Sequence, residues 1–288
     1  MSWRRRLGSH IPPRAKHTIA TTQAGWGRAT ARLRVLPDFL IIGAQRAGTT
    51  SLYKYLEAHP SVAPPLLGKG AHFFDTNFGK GEAWYRSHFP TRLHMHSARN
   101  AVTGEGSPYY LFHPHAPARV ARLLPDVKLI ALLRDPVSRA HSHYWHEVAR
   151  GFEHLSFEQA IESEPQRLSG EVERMRADPA YTSFSHQHYS YLARGHYLEQ
   201  LDRWYALFPS EQILVLSSED FFSRPDESFR AVLRFLGLPE GSLRSYAKFN
   251  PREYRELSKD TEQRLVERFA EPNERLYEFL GVDFGWRR

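Results

Sequence analysis

One segment constrains this chain more than any other. Asp38-Phe-Leu-Ile-Ile-Gly43 is a continuous apolar run, and it passes through Ala-Gln-Arg-Ala-Gly48 into the polar start of a helix at Thr49-Thr-Ser-Leu52. A strand without polar alternation is buried on both faces, so helices must cover both sides of the sheet that holds it. That requirement points to an α/β fold with a mainly parallel sheet. A tight glycine turn that leads from such a strand into a helix N-terminus also presents backbone N–H groups to an anion. Gly43 and Gly48 have the spacing of a nucleotide P-loop, yet position 49 is Thr where that motif requires Lys, and the nearest cation is Arg46. An ordinary ATPase or GTPase, which needs that lysine and a hydroxyl-held Mg²⁺ to neutralise a triphosphate, is disfavoured. A phosphosulfate carries less charge and is manageable with backbone amides and one side-chain cation.

The remaining pattern extends the α/β reading. Thr49 to Glu57 is the helix after the first strand, stopped by Pro60, and Ala101 to Glu105 is a short strand. Pro114 to Leu124 has helical spacing, Val127 to Leu133 is a second continuous apolar strand, and Pro136 to Arg150 is a helix with proline in its first turn. Gln212 to Leu216 is a further strand, and Ser218 to Leu236 and Lys259 to Leu280 read as helices. Phe157 to Phe208 is polar, helical and too long for a simple crossover, so it is expected to cover a substrate or cofactor. No internal repeat divides the chain, and one domain over 36–288 is the simplest organisation.

Composition narrows the chemistry. Cysteine is absent, which excludes disulfides, thiolate nucleophiles, thiolate metal sites and iron–sulfur clusters. No run of 18 or more apolar residues occurs, so no transmembrane helix is expected. The formal charge of +7 comes from the first 34 residues, which hold eight Lys and Arg and no acid; the rest has 31 Lys and Arg against 32 Asp and Glu. The basicity therefore belongs to a tail, 1–35, expected to be a disordered extension that makes at most weak contact with an anionic membrane, and no nucleic-acid partner is expected. The location expected for the chain is the cytoplasm, peripheral at a membrane at most.

A second anion site is legible in Leu132-Leu-Arg-Asp-Pro-Val-Ser-Arg-Ala-His-Ser-His-Tyr144. Arg134 ends a buried strand and Ser142 follows eight residues later on the next helix, so both reach the carboxyl edge of the sheet. Alone, an Arg-Asp-Pro turn is more commonly just a helix start. The 16 histidines, notably His141-Ser-His-Tyr-Trp-His146, do not make a metal site: only His143 and His146 share a helix face, with no third ligand, and no metal is expected in catalysis.

Together the two segments resemble the sulfotransferases that use 3′-phosphoadenosine-5′-phosphosulfate (PAPS). Further motifs, His72-Phe-Phe-Asp75, Glu105-Gly-Ser-Pro-Tyr-Tyr110, Ser190-Tyr-Leu-Ala-Arg-Gly195 and Phe284-Gly-Trp286, are similar to the heparan-sulfate-type branch and its bacterial relatives. The resemblance runs from about Pro37 to the C-terminus. It implies a P-loop-like parallel sheet flanked by helices, a 5′-phosphosulfate held by Arg46, Ala47, Gly48, Thr49, Thr50 and Ser51, and a 3′-phosphate held by Arg134 and Ser142. It also makes Tyr191 and Gly195 candidate contacts to the adenosine. PAPS is then the co-substrate, and sulfuryl transfer to a hydroxyl, less readily an amine, of a carbohydrate, lipid or secondary metabolite is the reaction, leaving PAP.

Sulfuryl transfer needs a base for the acceptor and a cation for the leaving phosphate. Arg46 stands where many relatives carry Lys; always charged, it stabilises an oxyanion but is a poor proton donor. The glycosaminoglycan enzymes show Lys-Glu-x-His/Gln-Phe-Phe with the Glu as base, whereas this chain reads Lys69-Gly-Ala-His-Phe-Phe-Asp75. With Gly70 in place of that Glu, the base is left to His72, Asp75 or Glu105, the first and last ranking level. Gly106 likewise replaces an expected Lys, and both departures argue against a polyanionic glycosaminoglycan. Two alternatives stay open at this point, a P-loop nucleotide kinase and a protein that binds PAPS or PAP without turnover. Oligomeric state and the acceptor's identity are not encoded in any motif.

Overall fold

The computed structural model describes residues 29–66, 68–97, 102–249 and 255–286. Its centre is a five-stranded sheet, β1 (Phe39–Gly43), β2 (Val62–Ala63), β3 (Val102–Gly106), β4 (Lys128–Leu133) and β5 (Ile213–Ser217), in the order β2-β3-β1-β4-β5. Every pairing is parallel. All five residues of β1 and the last five of β4 are buried, which is why both read as unbroken apolar runs. Each of Phe39, Leu40, Ile41 and Ile42 is fully enclosed, and burial of such a side chain contributes about 1.5–3 kcal/mol.

Helix α1 (Thr49–Glu57) follows β1, α2 (Ala116–Leu123) precedes β4, and α3 (Pro136–Val148) follows it. Gly48 caps α1 in the left-handed region at φ 93°, a conformation glycine adopts without a Cβ penalty. Asp135 caps α3 by accepting from Ser138 N–H, and Pro136 occupies a first-turn position whose N–H would have had no helical partner. The long stretch after α3 forms α4 (Phe157–Leu168), α5 (Phe184–His188) and α6 (Tyr197–Tyr205), with a further helix at Glu171–Ala177 between α4 and α5 and a 3₁₀ turn at Ala193–Gly195 before α6. Residues of α3, α4, the 189–192 segment and the C-terminal helix make a second apolar cluster, including Tyr144, Ile161, Tyr191 and Phe269, beside the main core. The polar stretch is thus a helical layer against α3.

Three expectations need correction. Ser218 to Leu236 is two helices, α7 (Ser218–Ser223) and α8 (Pro225–Leu236), because Pro225 cannot continue a helix hydrogen-bond ladder and instead starts a new one. Strand β2, two residues long, carries too little pattern to be read from sequence. The basic tail also ends earlier than expected. Its first 28 residues lie outside the described ones, but Arg34 is 4% exposed, bonding Phe89 O at 2.7 Å and Thr30 Oγ1 at 2.9 Å. The last helix, α9 (Lys259–Leu280), runs as expected, from a Ser258 cap to a left-handed Gly281.

The sheet is tightest where Phe39 faces Gly104 across β1 and β3. A Cβ on Gly104 would lie 2.5 Å from the Phe39 ring. Gly104→Ala is therefore expected to lower unfolding stability by about 1–3 kcal/mol, the usual cost of overpacking a core, read from the denaturant midpoint. An unchanged midpoint would show that the ring relaxes freely.

Candidate active site

The carboxyl ends of β1 and β3 open on one cleft of about 590 Å³, at the edge of the sheet where open α/β folds bind ligands; Arg134 and Ser142, after β4, are not among its lining residues. Its floor is the turn after β1. Arg46 takes φ 72° and Gly48 φ 93°, so the chain coils tightly before α1 begins, and the first two residues of α1, Thr49 and Thr50, line the cleft at the end where a helix presents N–H groups to an anion. Arg46 is tied to the second anion segment in two ways. Its Nε donates to Ser142 Oγ at 3.0 Å, and its carbonyl accepts from Arg134 Nη1 at 3.1 Å. The two segments that sequence reading treated as separate phosphate sites are one bonded unit.

Lys69 is the site residue that sequence reasoning passed over. Its Nζ donates to Thr49 Oγ1 at 3.0 Å and Thr50 Oγ1 at 3.1 Å, which puts an ammonium at the mouth of the loop that lacks the P-loop lysine. Burial pushes this ammonium down to about 7, with the Glu105 charge opposing and Lys54 adding to the shift. Its stem lies against Gly106, where a Cβ would come within 2.8 Å of Lys69 Cε. Gly70 is equally confined, since a Cβ there would sit 2.7 Å from Gly106 O. Gly70 is thus needed for the close passage of 69–70 over the end of β3, whereas a side chain at 106 would have only the movable end of Lys69 to displace. The signal was available in the quoted Lys69-Gly-Ala-His motif, but nothing in the spacing tied position 69 to position 49.

Glu105 and His72, ranked level as bases, differ sharply in three dimensions. Glu105 is 1% exposed and is not on the cleft. Its Oε1 accepts from Tyr110 OH (2.8 Å) and Tyr85 OH (3.0 Å), and its Oε2 from Ala71 N–H and Ser107 OH (both 2.7 Å). Four donors fill a carboxylate, leaving no lone pair for an acceptor hydroxyl. Burial pushes its pKa up, and the bonds from Ser107, Tyr110 and Ala71 hold part of that shift back. Glu105 is a structural hub, which corrects its assignment as a base. His72, by contrast, lines the cleft with φ 49°, and its Nδ1 is 2.8 Å from Asp75 Oδ2. The Asp75 side chain is fully buried while that of His72 is 40% exposed. Burial lowers the His72 pKa, but the Asp75 hydrogen bond and charge outweigh it, and the net shift is upward. With Nδ1 engaged by Asp75, Nε2 opens on the cleft, the arrangement in which a carboxylate orients an imidazole to accept a proton.

The cleft is also lined by His146, Arg150, Gln187, His188 and Arg194, from α3, α5 and the segments after them. Burial pushes the Arg194 guanidinium down to about 10; it is spent on Ser190 Oγ, the carbonyls of His186 and Gln187, and Gln45 Oε1. Among the described residues that line the cleft, four are Arg or Lys, three are His and none is Asp or Glu.

The other expected contacts fall into two groups. Thr49 and Thr50 lie on the cleft beside Arg46, and Ala47 and Gly48 form the turn beneath them. Ser51 is fully buried and its Oγ accepts from Phe249 N–H at 3.0 Å. Tyr191 is likewise sealed, its hydroxyl donating to Glu153 at 2.8 Å, and Gly195 is packed so closely on Phe269 and Pro136 that a Cβ would approach them to 2.7 and 3.0 Å. None of these three lines the cleft; they shape the elements around it.

A phosphate-cradling turn without its lysine, a parallel sheet and a cationic cleft with a histidine–carboxylate pair define a group-transfer enzyme for an anionic donor. The family described as Sulfotransferase domain matches residues 36–262, and the chain belongs to it. It is 31% identical to human heparan sulfate glucosamine 3-O-sulfotransferase 3B1, covering 87% of this chain and 65% of that one. It is 28% identical to the membrane-associated sulfotransferase kil1 of Dictyostelium discoideum, over 89% of this chain and 68% of that one. The chain thus spans about two thirds of the length of these relatives. Among solved structures, a sulfotransferase from Alicyclobacillus acidocaldarius matches with TM-score 0.67 and 29% identity, covering 88% of this chain and all of that one. The nucleotide-kinase alternative gives way to this family.

The contrast between the two base candidates is testable. Glu105→Gln replaces one accepting oxygen with an NH2 donor that faces two other donors, so it is expected to destabilise the fold by about 1–3 kcal/mol or more, seen as a lower melting temperature. His72→Ala is expected to leave melting nearly unchanged. Equal melting shifts for both would remove the distinction.

Proposed function

We propose that this protein transfers the sulfuryl group of PAPS to a hydroxyl of a polyhydroxylated, carbohydrate-like acceptor, releasing PAP. The observation that carries the reading is His72, pinned by Asp75 and opening on the same cleft as Arg46 and Lys69. The donor supplies an electrophilic sulfur and a phosphate leaving group. His72 Nε2 takes the acceptor's proton as its oxygen bonds to sulfur, and the electrons of the broken S–O bond go to the 5′-phosphate. Arg46, Lys69 and the first-turn amides of α1 face the charge that develops there, and Arg134 with Ser142 are assigned the 3′-phosphate. The absence of carboxylates from the cleft lining suits this doubly anionic nucleotide. His72 with Asp75 supplies the proton acceptor that Gly70 cannot, which favours turnover over a binding-only protein. The acceptor class follows from the lining, where Pro108 and Tyr109 are the main apolar contributors and the rest is polar. A lipid or phenol would meet little matching surface. A cytoplasmic location, with the basic segment 1–34 able to touch an anionic membrane, belongs to the same reading, and the likeness to a membrane-associated relative supports its second half.

Calorimetric titration tests the donor. PAP is expected to bind without Mg²⁺, more tightly than ADP, with the difference lost in Arg134→Ala. Preference for ATP with Mg²⁺ would overturn the reading.

Two pH dependences follow. A base must be unprotonated, so kcat/KM is expected to rise with pH through the elevated pKa of His72, above the ordinary 6.5, and to be lost below it. His72→Ala is expected to reduce kcat by roughly 10²–10⁴. Lys69 acts in the opposite sense, because its charge is present below about 7 and lost above. PAP affinity is therefore expected to weaken between pH 6 and pH 8.5, and Lys69→Gln to flatten that profile; a wild-type slope retained in the variant would remove Lys69 from the donor site.

A further inference from the structure

The cleft that His72 lines holds a second imidazole of the same construction. His188, the last residue of α5, places Nδ1 2.9 Å from Oε2 of Glu147 in α3. The Glu147 side chain is completely buried, and His188 keeps 7% of its side chain exposed. Phe152 and Phe184 hold the ring, their centroids 4.7 and 4.4 Å away. Burial raises the Glu147 pKa, but His143 and His188 outweigh it and hold the carboxyl well below its usual range, so it remains an acceptor for Nδ1–H. Nε2 is then the hydrogen-bonding end left for the cleft that His188 lines, and no described residue bonds to it. An imidazole kept only for packing has no need of a buried carboxylate to fix its tautomer and aim its other nitrogen at a ligand cleft.

The two dyads are not interchangeable. The charge of Lys69, which touches the phosphate loop, acts on His72, whereas the partners of His188 are Glu147, Phe152 and Phe184. We propose that His188 is an acceptor-binding residue, with Glu147 as its positioning residue. Its Nε2 takes a hydrogen bond from an acceptor hydroxyl other than the one that receives the sulfuryl group. This rests on the transfer reading above and adds to it: the acceptor must span the cleft with at least two hydroxyls, so a polyol or sugar satisfies the site and a monohydric alcohol or phenol does not. His188 then determines which hydroxyl is presented to His72.

The test uses the full chain saturated with PAP, and saturation-transfer NMR with cellobiose, N-acetylglucosamine and glucuronic acid, against 1-octanol and 4-nitrophenol. The wild type is expected to bind at least one sugar. His188→Asn keeps an amide donor near the place of Nδ1 for Glu147 and removes only the cleft-facing end; it is expected to weaken that sugar at least ten-fold with PAP affinity changed less than two-fold. Glu147→Gln is expected to weaken it less. If the wild type sulfates the bound sugar, the His188→Asn loss is expected in KM rather than kcat. Unchanged sugar affinity in His188→Asn overturns the proposal, as does binding of only the monohydric probes or of none of the five. Loss of PAP binding by the wild type would instead sink the donor reading, which the PAP titration reads separately.

Discussion

A single dry carboxylate organises the reacting wall of this protein. Glu105, at the end of a central strand, satisfies two tyrosine hydroxyls, a serine hydroxyl and the backbone N–H of Ala71. Without those four donors an ionised carboxylate could not remain at 1% exposure. With them it ties the 69–75 segment to the sheet, because Ala71 bonds it directly and His72 N–H bonds the same Ser107 hydroxyl at 3.0 Å. His72 is thereby held in a left-handed conformation at φ 49°, uncommon for a non-glycine residue. The strain sits at the residue whose ring must face the cleft, and the buried network is what sustains it.

The path of that segment accounts for one of the two departures from the glycosaminoglycan pattern. Gly70 and Gly106 approach each other across the end of β3, and Lys69 runs over Gly106 to reach the phosphate loop. A side chain at position 70 would meet the backbone carbonyl of Gly106 and push this strap away from the sheet, whereas one at position 106 would meet only the movable end of Lys69.

The sequence made the central fold legible, and much less of the cleft's geometry. Continuous apolar runs identified β1 and β4 because burial on both faces leaves a period-free signature, and the Gly43 to Ser51 turn carries its chemistry in consecutive residues. β2 escaped because two residues have no periodicity. Glu105 was misjudged because sequence shows a carboxylate at a strand end but not the Tyr85 and Tyr110 hydroxyls, 20 and 5 residues away, that consume its lone pairs. Tyr191 and Gly195 were placed beside a nucleotide on resemblance alone, while burial shows them supporting α3 and α9 from within.

Charge shows the same limit from another direction. Beyond the basic tail the chain is nearly neutral, and no count along the sequence marks a cationic site. The fold nevertheless collects Arg46, Lys69, Arg150 and Arg194 around one cleft and keeps every carboxylate off its surface, with Asp75 and Glu147 buried behind the histidines they orient. A low-dielectric cleft lined by one sign focuses its field on an entering anion, whatever the net charge of the body. The two acids stationed behind the wall act only through their imidazoles, holding each by Nδ1. That places proton acceptors among cations without putting carboxylates in the path of the donor. The sign separation follows from which side chains are buried, so it is a property of packing, and the proposed pairing of an anionic donor with a neutral acceptor in one cavity rests on it.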